Sequence, residues 1–356
     1  IALLAFVAFG VLGALDDWKK LSDPRSTGMK EGAKLFGQLA IAFITITALY
    51  GLGSADDGLA VMRGPSVKPS PYRGWQPRHR VEEGDTWASL SETYLRSPDR
   101  GLVIAKHNLL VDEDGKVYPP PVEREIRIPR PWPDPSDRHR ADLQVPFFKG
   151  VCIDLGLLFI PLGILVIVGA SNAVNLTDGL DGLAIGITAT VALAFAVIAY
   201  VAGRVDFSAE LHIFYVPEAG ELAIIAAALA GGALGFLWFN GFPADVFMGD
   251  TGSLSIGGIL GVLAVSLRHE LTLLIAGGMF VVEVLSVIWQ RAWFKGTRRA
   301  AARRGEPNPQ GRRWFRCAPL HHHYQHKGWH ENKVTVRFWI VSAICVLAAL
   351  ASLKMR

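Results

Sequence analysis

Residues 183–202 read LAIGITATVALAFAVIAYVA, twenty residues with no charge and no proline. A helix rises 1.5 Å per residue, so about 20 apolar residues cross the roughly 30 Å hydrocarbon core of a bilayer. Working outward, comparable apolar runs lie at Ile1–Leu15, Leu35–Gly53, Val151–Ser171, Leu222–Gly241, Leu254–Leu267, Leu271–Trp289 and Val334–Leu353. The run at Leu254 is the shortest and is rich in glycine. One such run could be a buried helix of a soluble protein, but this many cannot all be interior. The expected fold class is an all-α polytopic membrane protein of about eight transmembrane helices. A small α+β extramembrane insertion is expected between the second and third runs.

Composition agrees. The chain has 356 residues, 51% hydrophobic and 19% charged, against about 25% charged in a soluble domain. That excludes a disordered or collagenous chain. The three cysteines, Cys152, Cys317 and Cys345, cannot make a disulfide framework, and their spacing fits no zinc site. The sequence opens at Ile1 inside an apolar run without a basic leader, which reads as a chain cut at its N-terminus and not as a signal peptide.

Charge is unevenly spread. Residues 54–150 hold 15 basic and 15 acidic side chains, whereas Arg291–Lys333 holds 11 basic and only Glu306 and Glu331 as acids. Alternating the spans puts the connections at 16–34, 172–182, 242–253 and 291–333 on one face. Those at 54–150, 203–220 and around His269 fall on the other. Lys19, Lys20, Arg25, Lys30 and Lys34 join the basic loop on the first face, which the positive-inside rule makes cytoplasmic.

Four polar constellations fall on that face. They are Asp16-Asp17-Trp18-Lys19-Lys20; NAVNLTDGLDG at 172–182; Asn240 to Ser253 with VFMGDTGS at its end; and PLHHHY at 319–324, followed by Lys327-Gly328-Trp329. Ionisable groups at a membrane boundary are costly unless paired, hydrated or ligand-bound. Helix-end solvation would account for a single aspartate, but not for five acids, three asparagines and three histidines on one side. Carboxylates and amides are hard oxygen ligands that suit Mg²⁺ better than zinc. The pattern points to divalent-metal phosphoryl transfer. Asn172, Asn175, Asp178 and Asp181 recur every third residue, so neighbouring members share a helix face. Gly179, Gly182, Gly249 and Gly252 let a phosphate or sugar approach the backbone. His321, His322 and His323 are adjacent and unaccompanied by Cys or H-E-x-x-H, so phosphate binding or proton transfer fits them better than zinc. No Walker A loop, nucleophile elbow or G-x-G-x-x-G is present.

At these residues the chain resembles the phospho-N-acetylmuramoyl-pentapeptide transferase family, within the polyprenyl-phosphate sugar-1-phosphate transferase superfamily. NAVNLTDGLDGLA and VFMGDTGSL carry the superfamily, and PLHHHYQHKGW carries the muramoyl-pentapeptide branch. The resemblance extends over Gly13–Lys20, Val145–Lys149, Asn172–Ala184, Gly235–Gly258, Phe280–Ile288 and Pro319–Ile340. It implies attack of a polyprenyl (undecaprenyl) phosphate on UDP-N-acetylmuramoyl-pentapeptide, releasing UMP and forming lipid I for peptidoglycan synthesis. By the same resemblance Asp250 is the Mg²⁺ ligand. Asp16 and Asp17 are catalytic carboxylates, one of them deprotonating the lipid phosphate, and His321, His322 and His323 belong to the active-site loop. Lys20, Lys34, Asn172, Asn175, Asp178, Asp181, Asn240 and Phe247 line the substrate cleft, with Phe247 near the uracil. The family implies a multi-pass protein of the bacterial inner membrane, a cytoplasmic site, a homodimer and no nucleic-acid partner. It also has two further spans and a Gly-Thr-Pro loop before the first span here. Gly296–Arg312 is a basic expansion of its histidine loop, and His330 stands where the family usually has proline.

The family's outer loop is short, yet residues 54–150 form a long insertion bounded by Pro/Gly-rich stretches at 64–77 and 119–135. The stretch from His79 to Leu90 reads as strand, turn and capped helix, with Asp85 or Thr86 as N-cap. A second helix is expected at about 98–107, then Asn108 and a short strand at Glu125–Ile128. This order resembles a LysM module, a β-α-α-β glycan-binding fold, with its core at about 78–130. It implies a peptidoglycan-binding face opposite the catalytic one.

Two other readings compete with the transferase. One is an N-acetylglucosamine-1-phosphate transferase of the same superfamily. The other is an ion-coupled transporter, since acids inside spans and Gly-broken helices also mark transport sites. The polar groups gather at one face and not at the midplane, which opposes transport. Of the two acids well inside spans, Asp154 is near an end and Glu283 reads as a cleft-wall or structural residue.

Overall fold

The structure, a computed structural model, describes residues 1–22, 28–51, 78–95, 101, 104–105, 108–112, 115–128, 142–148, 151–204, 207–208, 211, 213–216, 219–304 and 308–354. In chain order the elements are α1 (Ala2–Ser22), α2 (Glu31–Gly51), β1 (Arg78–Arg80), α3 (Trp87–Leu95), β2 (Glu125–Arg127), β3 (Asp142–Gln144) and β4 (Cys152–Asp154). A turn of 3₁₀ helix at Gly156–Leu158 leads into α4 (Phe159–Thr177), followed by α5 (Leu183–Ala202), α6 (Ala219–Asn240) and α7 (Gly249–Ser266). The rest is α8 (Glu270–Ala276), α9 (Gly278–Arg303), α10 (Leu320–Gln325) and α11 (Glu331–Lys354).

Six helices are long and apolar enough to cross a membrane: α2, α4 with its 3₁₀ lead, α5, α6, α7 and α11. The pair α8 and α9, bent by 85° at Gly277, passes the same test of length and composition as a broken span or a re-entrant loop, which makes up to seven. The sequence suggested eight. The eighth, α1, has the length, but Asp16, Asp17, Lys19 and Lys20 fill its last turns, so only Ile1–Leu15 is membrane-like. The bend between α8 and α9 falls at consecutive glycines, where a helix kinks readily. A Cβ on Gly278 would lie 2.9 Å from Cys345 Sγ of α11, so the chain turns where it has no side chain to accommodate.

The most enclosed helix is α7, whose glycines set its packing. Gly257 and Gly261, one small-xxx-small pair, lie against the α4 backbone at Ser171 and Ile167, where a Cβ would come within 2.6 Å of each Cα. Close backbone approach of this kind drives helix association where lipid removes the hydrophobic incentive. Gly258 lies against the Phe9 ring of α1, and Ser171 Oγ donates to the Leu254 carbonyl at 3.0 Å. Thus α1 and α4 flank α7 and bring three polar loops to one end of the bundle.

The connection from α4 to α5 is tight. Asp178 leaves helical geometry (φ −77°, ψ 57°), and Gly182 opens α5 with φ +71°, a left-handed value that favours glycine. Carboxylates and amides of this turn therefore project at the helix ends and not along a continuous helix, as the every-third spacing suggested.

The insertion contains a small core of its own. β1 pairs antiparallel with β2 (His79 opposite Ile126), and Val81, Leu90, Ile104, Ile126 and Ile128 are buried together. Thr86 Oγ1 accepts the Ser89 N–H at 3.1 Å and caps α3. Asp85 instead ties the preceding turn, accepting from the Glu82 N–H at 2.8 Å and lying 2.8 Å from His79 Nε2. Most of the expected second helix lies outside the described residues, although 101, 104 and 105 are helical and Asn108 Nδ2 donates to the Ile104 carbonyl at 2.8 Å. Tyr215, from the α5–α6 connection, packs against this core. The hairpin β3–β4 meets α8.

Candidate active site

Three carboxylates converge where α1, α2 and α7 meet. Asp16, Asp17 and Asp250 offer oxygens that all lie within 4.8 Å of one another, the one such acidic group among the described residues. Lys20, one turn beyond Asp16, places Nζ 2.7 Å from Asp16 Oδ2, 3.5 Å from Asp17 Oδ1 and 2.9 Å from Asp250 Oδ2. Lys34, from α2, places Nζ 2.6 Å from Asp250 Oδ2 and 3.8 Å from Asp16 Oδ2. Burial disfavours the Lys20 ammonium, but hydrogen bonds to Asp16 and Asp250 outweigh it and hold its pKa above the usual lysine value.

Each acid is held differently. Asp17 accepts the backbone N–H of Asp250 at 3.2 Å through Oδ1, and the Thr251 N–H and hydroxyl at 2.9 and 2.7 Å through Oδ2. It thereby caps the first turn of α7 from another helix. Asp16 Oδ1 accepts the Met29 N–H at 2.6 Å. Asp250 Oδ1 accepts from Asn175 Nδ2 at 2.6 Å, and Asn175 also donates to Ser253 Oγ at 2.9 Å. Gly13 sits directly under the Asp250 carbonyl, where a side chain would have no room.

Three carboxylates against two ammonium groups leave the cluster net negative, and neighbouring Asp178 adds a fourth acid. Burial pushes the Asp178 carboxyl up to about 6; Asp250 and Asp17 push it the same way, and His321 opposes them. Like charges about 4 Å apart repel by about 4 kcal/mol at an effective dielectric near 20, so a further cation is electrostatically welcome. The donors, carboxylates with an amide beside them, are hard oxygen ligands; no cysteine or histidine joins the group among the described residues. That donor set fits Mg²⁺.

The remaining predicted residues divide into two kinds. Asn172 donates to Gln38 Oε1 at 2.8 Å and ties α4 to α2. Asp181 Oδ2 accepts the Ala244 N–H at 2.9 Å, and its own N–H donates to Glu331 Oε1 at 2.9 Å. Asn240 accepts the Gly182 N–H at 3.1 Å and donates to the Val246 carbonyl at 2.7 Å. Asp181 and Asn240 thus lock loops together, whereas Asn172 joins two helices. Phe247 stands exposed, with 76% of its surface accessible.

The histidines differ among themselves. His321 is fully buried; its Nδ1 lies 3.3 Å from Glu283 Oε2, an ion-pair distance without hydrogen-bond alignment, and its Nε2 abuts Gly179. His322 Nδ1 is 2.7 Å from Gln325 Oε1, and His323 Nδ1 accepts the Arg316 N–H at 3.0 Å. Burial, together with Lys327, Arg316 and His326, lowers the His323 pKa. Glu283 is itself fully buried and accepts the Leu320 and His321 N–H groups at 2.6 and 3.1 Å. It caps α10 from α9. Gln38, Thr251, Ser253 and Glu331 were given no role in the site from the sequence. Gln38 offered a signal, as an amide inside an apolar run.

Residues 139–268 match a family model described as glycosyl transferase family 4. The chain is 54% identical over 214 residues to a phospho-N-acetylmuramoyl-pentapeptide-transferase of Rickettsia bellii (strain OSU 85-389); the match covers 60% of this chain and 56% of that protein. The chain thus spans a little over half the length of this relative.

Proposed function

We propose that this chain transfers phospho-N-acetylmuramoyl-pentapeptide from its UDP-linked precursor to a polyprenyl phosphate, releasing UMP and forming lipid I. The carrying observation is the convergence of Asp16, Asp17 and Asp250 on Lys20 and Lys34, contributed by three separate helices. The name of the Rickettsia relative supports the choice of substrate. In the reaction an oxygen of the lipid phosphate attacks the sugar-proximal phosphorus, and the bond from that phosphorus to UMP breaks.

Asp250 would hold Mg²⁺, which when bound supplies charge neutralisation and polarises the pyrophosphate. Asn175 fixes the Asp250 carboxylate, and Asp17 fixes the turn that carries it. Lys20 and Lys34 draw the two anionic substrates together and balance the growing negative charge. Asp16 accepts the proton of the lipid phosphate. Phe247 stacks on the uracil, and His322 and His323 face the departing phosphate. The site lies at the cytoplasmic side of a bacterial inner membrane, in a homodimer.

The insertion is a LysM-like module that binds peptidoglycan glycan on the opposite face. Its antiparallel β1–β2 pair, capped α3 and enclosed core support this reading. Retention of the protein on purified sacculi, lost when residues 78–128 are excised, tests it; equal retention after excision refutes it.

Supplying the full-length protein with polyprenyl phosphate and either UDP-N-acetylmuramoyl-pentapeptide or UDP-N-acetylglucosamine separates the two transferase readings. UMP should appear with the first alone. UMP from the second alone would assign the other branch, and none from either would refute transfer.

A further inference from the structure

Beyond Glu283 and Ser286, α9 leaves the bundle as an exposed arm, with Ala301 its one buried residue after that point. At about 100° per residue, Trp289, Ala292, Trp293, Gly296, Thr297 and Ala300 share one face, while Arg291, Lys295 and Arg298 occupy the opposite one and Arg299 lies at the border beside Ala292. The apolar row continues Val282 and Leu285, exposed side chains of the spanning part of the same helix. A groove of about 320 Å³ runs along it.

The arm is held rigid by the returning loop. Gln290 accepts the Trp314 and Phe315 N–H groups, each at 3.0 Å, and donates to the Phe315 carbonyl at 3.0 Å. Thr297 Oγ1 accepts the Arg312 N–H at 2.8 Å, and Gly311 lies flat on Phe294. Trp314 is thereby packed edge-on against Trp289 and Trp293, with ring centroids 5.9 and 4.9 Å apart. Behind the tryptophans, Arg291, Lys295 and Arg313 line a second hollow of about 350 Å³.

We infer that residues 289–304 and 308–316 form a docking surface for the anionic phospholipids of the adjoining leaflet, with Trp289, Trp293 and Trp314 in the interface and Arg291, Lys295 and Arg313 on the headgroup phosphates. Charge and continuity select this occupant. The arm is an amphipathic helix with tryptophan on one side and arginine and lysine on the other, the composition that lies in a membrane interface. Its apolar row runs without a break into the bilayer-facing row of a spanning helix. Tryptophan suits this depth because its ring is apolar and its N–H is wet. Each basic side chain near an anionic leaflet strengthens attachment by about fivefold, and the three in the hollow act on one headgroup region.

The test uses the full chain in lipid nanodiscs and reads quenching of tryptophan fluorescence by brominated phosphatidylglycerol or brominated phosphatidylcholine at equal mole fraction. The anionic quencher should be the stronger, and that preference should vanish in Arg291→Glu/Lys295→Glu/Arg313→Glu. It should vanish also in Trp289→Phe/Trp293→Phe/Trp314→Phe, which assigns the signal to these rings. If the first variant does not insert, the single reversals Arg291→Glu and Arg313→Glu replace it. Equal quenching by the two lipids in the native chain overturns the inference, as does a preference that survives either kind of variant. The readout is independent of catalysis, so its failure leaves the proposed reaction untouched.

Discussion

Asp17 and Asp250 are 233 positions apart, yet Asp17 Oδ1 accepts the Asp250 backbone N–H at 3.2 Å while Oδ2 takes the amide and hydroxyl of Thr251. One carboxylate therefore sets the helix turn from which another projects. Asp17→Ala should lower stability by about 1–2 kcal/mol, the usual cost of a lost cap. It should also lower kcat far more than it raises KM. Thermal melting and steady-state UMP release check both.

Lys34 approaches Asp250 from α2 at 2.6 Å. Lys34→Met removes a positive charge from a cluster already net negative. Half-saturation should then need less Mg²⁺, whereas KM for the UDP-sugar should rise by about tenfold or more, since one near contact is worth several kcal/mol at this dielectric. Metal and substrate titrations of the same variant should move in opposite directions.

Glu283 supplies two acceptors to the start of α10, at 2.6 and 3.1 Å. Glu283→Ala leaves both N–H groups buried without partners, at about 1–3 kcal/mol each. Hydrogen exchange should accelerate at 320–325 before any other described segment, and activity should fall with it. Glu283→Gln, which keeps one good acceptor, should lie between the two.

Gly179 abuts His321 Nε2. Gly179→Ala should displace the buried imidazole and cut activity at least tenfold, with the helical circular dichroism signal unchanged.

The Asp85 carboxyl lies below its ordinary value of 3.8, chiefly through the hydrogen bond to His79 and despite a small burial penalty. A depressed folded pKa contributes stability that is present above about pH 4 and lost as pH falls through the folded value. Protection of the Glu82 amide in the full chain should decline over that acidic window, and Asp85→Asn should remove the pH dependence.

The spans were legible because a soluble fold of this size has no interior large enough to bury so many apolar runs of bilayer length. Four segments of the site were legible because their acids, amides and imidazoles sit at span ends. What stayed hidden depends on contacts between distant segments. Nothing local to Asp17 says that it caps α7, and nothing near Glu283 says that α10 begins against it. The every-third spacing from Asn172 to Asp181 suggested that neighbouring members share a helix face, but the turn at Asp178–Gly182 splits the series, leaving Asn175 bonded to Asp250 and Asp181 bonded to Ala244 and Glu331. The apolar run ending at Trp289 gave no sign that α9 continues to Arg303, because hydropathy reports burial in lipid and not helix length.

The most direct test of the acidic centre is UMP release by the full-length Asp250→Asn protein, titrated with Mg²⁺ beside the native enzyme. The native protein should require the metal, and the variant should show no metal-dependent release at any concentration. Near-normal turnover by the variant, or native turnover that persists in excess chelator, would contradict the assignment of Asp16, Asp17 and Asp250 as a metal-assisted phosphoryl-transfer site.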